Sequence, residues 1–283
     1  MKKIGLLLCF IFLVGISFAQ DARSYFESGN DCFDAENYSQ AISYYKKANV
    51  LAGGNHSRCQ FNIGLCYDLI EDYTQAVYWY RKAAEQDVAD AQYNLGGCFY
   101  EGKGVTKDYT QVVYWYRKAA EQGDAAAQND LGYAYMNGEG VKKNEPLAAY
   151  WYHKAAEQEY AAAQHNLGVC YENGEGVTKD EARAVYWYRK AAEQGYADAQ
   201  YNLGGSYFHG LGVIKDDVQA VYWYRKAAEQ GSGNAQGMLS VCYYEGRGVA
   251  KDVEQAKFWV RKAIAHENTD PRIIEIDAKY IFE

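Results

Sequence analysis

The six tryptophans of this 283-residue chain stand at Trp79, Trp115, Trp151, Trp187, Trp223 and Trp259, each 36 residues after the one before. A fixed spacing of that size marks a chain built from stacked copies of one supersecondary unit. A single copy cannot bury its own apolar face, so each leans on its neighbours and no single central core forms. Function is then expected on extended surfaces and not in one deep pocket.

Residues 89–123, ADAQYNLGGCFYEGKGVTKDYTQVVYWYRKAAEQG, serve as the type copy. Helical spacing sets Ala91, Leu95, Cys98 and Phe99 on one face of a first helix and Asn94, Gly97 and Glu101 on the other. Around a second helix, Val113, Trp115, Tyr116, Ala119 and Ala120 share one side, and Tyr114, Arg117, Lys118 and Glu121 the other. The six tryptophans are therefore assigned to the core, as indoles wedged between successive hairpins beside small alanines. The paired glycines Gly102 and Gly104 return at 138 and 140, 174 and 176, 210 and 212, and 246 and 248, where they are expected to end the first helix. Without a preceding strand and a third glycine they do not make a dinucleotide-binding fingerprint. Asp108, with Gln111 three residues on, is expected to cap the second helix, and Asn144, Asp180, Asp216 and Asp252 hold the same place.

Lys2 and Lys3, the apolar run Ile4 to Val14, and Ser17-Phe18-Ala19 together read as a signal peptide, residues 1–19, cleaved after Ala19. The run is shorter than the roughly 20 residues a membrane helix needs, so no transmembrane span is expected after cleavage. An exported protein of the periplasm or the exterior follows. Loss of Lys2 and Lys3, with no acid, takes the formal charge from −8 to about −10, which argues against a nucleic-acid partner. Six cysteines remain, and an even count in an exported chain invites disulfides. Yet Cys66, Cys98, Cys170 and Cys242 share a register with Ala134 and Ser206, a place for a small side chain. Stacked equivalents lie about 9 to 10 Å apart, beyond the roughly 7 Å Cα limit for a bridge, so buried free thiols are expected.

The strings AQYNLGGCFYEGKGVTKD and YWYRKAAEQG resemble the Sel-one-like repeat family, a relative of the tetratricopeptide repeat, in six copies from about Asn55 to His266. The resemblance implies an all-α fold, an α-solenoid of antiparallel helix pairs stacked in a right-handed superhelix, and a role as an adaptor that gathers other proteins. The copies run 55–87, 88–123, 124–159, 160–195, 196–231 and 232–267; the first of them is four residues shorter and lacks the paired glycines. Residues 21–54 echo the design with Tyr44 in the tryptophan's place and make a tetratricopeptide-like N-terminal repeat. Residues 268–283, opening on Asp270-Pro271, are expected to form a C-terminal capping helix.

By the same resemblance, outward positions of the first helices line a concave groove: Phe61, Tyr93, Asn129, His165 and Tyr201 in one series, Leu65, Tyr133 and Val169 in another, with Asn94 beside them. Such a groove takes an extended peptide or a helix, although drift after duplication would produce the same variety. A second candidate surface is an outer aromatic ladder of Tyr78, Tyr114, Tyr150, Tyr186, Tyr222 and Phe258, beside Arg81, Arg117, Arg189 and Arg225. Copying of one unit, with each ring lying against its own helix, is the competing account of the ladder.

The histidines His56, His153, His165, His209 and His266 show no metal-ligand spacing, and no serine or cysteine stands in a nucleophile motif. No catalytic, cofactor or metal residue is assigned. The expected function is a non-catalytic exported scaffold for another protein or a peptide. A cell-envelope glycan or peptidoglycan binder is the first alternative. The second, a β-lactamase-like hydrolase, comes from cysteine-rich members of the resembled family; those carry paired cysteines in each repeat, whereas most repeats here carry one or none.

Overall fold

The computed structural model describes residues 20–265, so the expected leader and C-terminal capping helix lie outside the described residues. Among the described residues every regular element is a helix. The chain divides between Lys143 and Asn144 into two compact units. The first holds α1 (20–34), α2 (Tyr38–Leu51), α3 (Ser57–Leu69), α4 (Tyr73–Ala84), α5 (Ala89–Glu101), α6 (Tyr109–Glu121) and α7 (Ala125–Asn137). The second holds α8 (Glu145–Glu157), α9 (Ala161–Asn173), α10 (Glu181–Glu193), α11 (Ala197–His209), α12 (Asp217–Glu229), α13 (Gly233–Glu245) and α14 (Val253–Ile264). From α2 to α7, and again from α8 to α14, each helix packs on the next, and the short turns make successive helices antiparallel.

Local chemistry sets the helix ends. Asp108 caps α6, its Oδ1 accepting from the backbone N–H of Thr110 at 2.9 Å and of Gln111 at 3.2 Å. At the end of α5, Gly102 takes φ 76° and Cys98 carbonyl accepts from the N–H groups of Gly102 and Lys103 at 2.9 and 3.0 Å. Gly104, with φ 68°, does more than turn the chain: a Cβ there would overlap the carbonyl of Tyr73 at the start of α4 in the preceding copy. The second glycine of each pair is thus a stacking residue.

Ala91, Leu95, Cys98 and Phe99 are buried, and so are Gln92 and Gly96 beside them. Gly96 leaves a hollow in α5 that the Tyr116 ring fills, so that a Cβ would lie 2.6 Å from two ring carbons. The same seat holds Tyr45 on Gly29, Tyr80 on Gly64, Tyr188 on Gly168 and Tyr224 on Gly204. These rings narrow the tryptophan assignment, since three of the six indoles lie in the core and it is the tyrosine ring that fills the hollow. Trp115, Trp223 and Trp259 are buried, but Trp79, Trp151 and Trp187 are only partly covered, whereas Tyr45, Tyr80, Tyr188 and Tyr224 are at most 1% exposed. One residue along a helix is about 100° of rotation; the hollow faces the tyrosine, and the indole lies at the edge of the seam.

Three of the buried phenols, Tyr45, Tyr80 and Tyr188, are hydrogen-bonded from two sides, which offsets the cost of burying a hydroxyl. Tyr45 donates to Asn30 Oδ1 at 2.8 Å, Tyr80 to Asp68 Oδ2 at 3.2 Å, and Tyr188 to Glu172. An asparagine of the next copy, Asn62, Asn94 and Asn202 respectively, donates to each in turn. A second buried polar line runs through glutamines. Gln92 Nε2 donates to the Ala84 carbonyl at 3.0 Å, tying off the end of α4, while its Oε1 accepts from Gln122 at 2.7 Å. Gln164 and Gln200 repeat both bonds in the second unit.

In a helix interior Gly→Ala ordinarily stabilises by about 1 kcal/mol. Gly97→Ala, whose Cβ would find only Tyr116 Oη at 4.0 Å, should show that gain. Gly96→Ala should instead cost about 1 to 3 kcal/mol through overpacking. Urea denaturation of the two variants checks this, and a gain at both positions would remove the glycine seat from the account.

Candidate partner-binding groove

The first-helix series sits directly over the buried tyrosines. In the first unit, Tyr93 stacks on Tyr116 with centroids 5.2 Å apart and planes at 25°, and its hydroxyl donates to Asp130 Oδ2 at 2.9 Å. Phe61 lies 6.0 Å from Tyr80. In the second unit, Tyr201 lies 5.9 Å from Tyr224, and His165 lies 5.8 Å from Tyr188 and 5.3 Å from Tyr196. Phe61, Leu65, Tyr93, Asn94, His165, Val169 and Tyr201 are therefore half-buried, and Tyr133 is exposed. Asn129 departs from the expectation. It is buried, its Nδ2 donating to Asp130 Oδ1 at 3.0 Å, so it orients a carboxylate and offers no open contact.

Two adjoining clefts open in the first unit. One, of about 300 Å³, is lined by Tyr93, Tyr100, Glu101, Tyr109, Val112, Tyr116, Asp130, Ala134 and Glu139. The other, of about 210 Å³, shares Tyr93, Tyr100, Glu101 and Tyr116 and adds Asp68, Asn94, Gly97, Cys98 and Lys103. Tyr100 and Tyr109 meet edge to face at 5.8 Å and keep more than a third of their surface exposed. Burial holds the Asp130 carboxyl above its usual range, opposed by the hydrogen bonds from Asn129 and Tyr93. The Tyr100 phenol is also raised, by desolvation and then by the charge of Glu139. The site is thus aromatic in its walls and negative in its field. The groove series included neither Tyr100 and Tyr109 nor Asp130 and Glu139; their only sequence signal was that their registers differ from copy to copy.

His165 is held neutral. Burial lowers its pKa, against the opposing pull of Asp198, Asn166 and Glu172. Its Nδ1 is 3.4 Å from Asn166 Oδ1 and its Nε2 is 3.2 Å from Asn202 Nδ2, the contacts of an imidazole protonated on Nδ1.

The outer ladder is about half exposed, from Tyr78 at 49% to Phe258 at 46%. Each rung stands edge to face on the tryptophan that follows it, as Tyr78 does on Trp79 at 5.2 Å and Tyr222 on Trp223 at 4.9 Å. Tyr114, Tyr150 and Tyr186 keep the same relation to Trp115, Trp151 and Trp187. The cations differ from the expected ones. Lys82 lies 4.8 Å over Tyr78 and Lys262 lies 4.9 Å over Phe258, four residues along the same helix face. The arginines at the third place turn to the next copy: Arg117, Arg189 and Arg225 donate to Tyr135, Tyr207 and Tyr243 at 2.7, 2.8 and 2.7 Å, and Arg81 lies over Phe99. Each rung is a local ring–lysine pair.

Among the described residues no group of three or more histidines, cysteines or carboxylates is placed to hold a metal ion, and no helix is long and apolar enough to cross a membrane. Cys59, Cys66, Cys98, Cys170 and Cys242 are buried free thiols, each pushed up to about 12 chiefly by burial, far from the range of a reactive thiolate.

The Sel1 repeat family model matches residues 22–49, 57–88, 89–124, 125–160, 161–196, 197–232 and 233–268. The chain belongs to the Sel1 repeat family. Sel1 and tetratricopeptide-like repeats are generally protein-interaction scaffolds. Among solved structures, this Sel1 repeat chain is similar to a Sel1 repeat protein from Oxalobacter formigenes, at 38% identity and a TM-score of 0.75 over 85% of this chain and 99% of that one. It is also similar to c5321, described as a protective antigen present in uropathogenic Escherichia coli strains and displaying an SLR fold. That match has 33% identity and a TM-score of 0.82, covering 92% of this chain and 56% of the other, so the chain spans little more than half of c5321's length. No curated protein matches the chain significantly in sequence.

A lowered imidazole pKa favours the unprotonated folded state. The stability it contributes is therefore complete above about pH 6.5, the ordinary histidine value, and is lost as pH falls through it, by at most about 1.4 kcal/mol per pH unit for one proton. Wild type should accordingly lose more stability between pH 7.5 and 5 than His165→Asn. Thermal melts of the two at both pH values test this, and parallel losses would place the acid sensitivity elsewhere.

Proposed function

We propose that this Sel1 repeat protein is an exported, non-catalytic scaffold that holds a segment of another protein along the first-helix groove. The observation that carries the reading is the pair of adjoining clefts over Tyr93, Tyr100 and Tyr116, where open aromatic rings lie beside carboxylates on a rigid helical floor. Aromatic side chains in such places are the usual anchors of protein recognition. Export is supported by the charged and apolar leader of residues 1–19 and by the likeness to a protein described as a protective antigen. The absence of chemistry is supported by cysteine thiols that burial keeps protonated. Glycan stacking on the outer ladder is the weaker reading, because the lysines already lie over the rung faces.

A photo-crosslinking residue placed at Tyr100 should capture a protein in the native cell, and one at Tyr114 should not. Replacing Tyr100 and Tyr109 together by alanine should weaken capture by more than about tenfold, as for loss of aromatic anchors, with helicity unchanged. Capture at Tyr114 alone, or sedimentation of the protein with cell-wall polymer, would move function to the ladder.

A further inference from the structure

The residue between the paired glycines differs along the array: Lys103, Glu139, Glu175, Leu211 and Arg247. In the last copy that side chain folds back onto the copy before it. The Arg247 guanidinium lies over the Phe208 ring, its Cζ 3.5 Å from the centroid. Nη2 and Nε donate to Oδ1 and Oδ2 of Asp217 at 2.9 and 3.3 Å, and Nη2 reaches the Phe208 carbonyl at 3.4 Å. Glu245 adds a carboxylate 3.8 Å from Nη1. Lys103 does a simpler version of the same thing, its ammonium 5.2 Å over Tyr73 and 2.6 Å from Glu101. Arg247 thus fills the cleft beneath its glycine pair, whereas Lys103 stands at the wall of a cleft that stays open.

Three periods of the repeat carry Phe208 onto Tyr100, Asp217 onto Tyr109, Tyr224 onto Tyr116, and Arg247 onto Glu139. The cleft of about 300 Å³ in the first unit is thus the counterpart of the one that Arg247 fills. Its aromatic wall is the same or richer, and an acid stands where the arginine would start. Glu101, Asp130 and Glu139 all line it, and none of its lining residues is basic. Glu101 is paired with Lys103 at 2.6 Å, so Asp130 and Glu139 are the carboxylates that face an incoming cation.

We propose that this cleft receives a guanidinium from outside: an arginine side chain of the bound protein segment enters it as Arg247 enters its own cleft from within. A flat guanidinium stacks on a tyrosine face while its edge forks to a carboxylate, a pair of demands that a rounded ammonium meets only in part. The assignment deepens the scaffold reading and rests on it for the source of the arginine.

The probe is N-acetyl-Gly-Arg-Gly-amide, titrated into the full chain at physiological salt and followed by calorimetry, beside the same peptide with citrulline or lysine in place of arginine. The arginine peptide should bind at one site per chain, the lysine peptide more weakly, and the citrulline peptide at least about tenfold more weakly, since citrulline keeps the shape and loses the charge. Glu139→Arg, which places an arginine at the position Arg247 holds in the last copy, should abolish binding while leaving the thermal melt in place; Glu139→Gln should weaken it. No binding to wild type, equal binding of the citrulline peptide, or full binding to Glu139→Arg would each overturn the assignment. Capture of a protein through position 100 that is indifferent to Glu139→Arg would also overturn it, and would leave the scaffold reading standing. Peptide binding without any captured protein would do the reverse.

Discussion

The contact on which this architecture depends is an aromatic ring seated on bare backbone. Tyr80 on Gly64, Tyr116 on Gly96 and Tyr224 on Gly204 lie so close to the facing helix that a Cβ there would come within 2.6 to 2.7 Å of ring carbons. A phenol sunk that deep would be costly unless its hydroxyl were satisfied. For Tyr80 and Tyr188 the partners come from both directions, a carboxylate on the same copy's first helix and an asparagine on the next copy's. One side chain thus fixes the hairpin and its successor at once. The groove inherits its position from the same ring, since Tyr93, His165 and Tyr201 rest on Tyr116, Tyr188 and Tyr224.

Much of the fold could be read from spacing alone, because Ala91, Leu95, Cys98 and Phe99 recur at a helical period and Asp108 and Gly102 carry the local chemistry of helix ends. Spacing could not rank neighbours that share the same period. Tryptophan and the tyrosine after it both return every 36 residues in most copies, and at Trp115 and Tyr116 both are buried, but only the tyrosine ring sits on bare backbone. What decides between them is the cavity opposite, and its trace was Gly96, a helix-interior glycine that costs about 1 kcal/mol unless something packs on it. Gln92 left a similar trace as a polar side chain within an apolar stripe, its partners the carbonyl of one helix and the amide of another.

The site was less legible for a different reason. Variation between copies points to Tyr93 and His165 but also to Asn129, which the fold buries to hold Asp130 in place. The cleft walls come from the end of α5, the start of α6 and the turn after α7, and only stacking makes them one surface. Read singly, Tyr100 is a helix terminus, Tyr109 a helix start and Glu139 a turn residue. The outer rungs show the same limit on a smaller scale, since Lys82 and Arg81 are adjacent in sequence but face the ring and the next copy respectively.

The glycine-x-glycine turn shows how one scaffold can present unlike clefts. Its glycines absorb the backbone demands, the first by the positive φ that closes the helix and the second by passing close to the preceding copy's helix start. The residue between them carries neither duty, so it is free to be Lys103, Glu139 or Arg247 without disturbing the stack. Placed over the cleft, that single side chain decides whether the copy satisfies its own aromatic and acidic wall, as Arg247 does, or leaves the wall to a partner, as Glu139 does. In the proposed arginine reading, recognition is set copy by copy at a position to which the tyrosine seat and the glutamine line are indifferent.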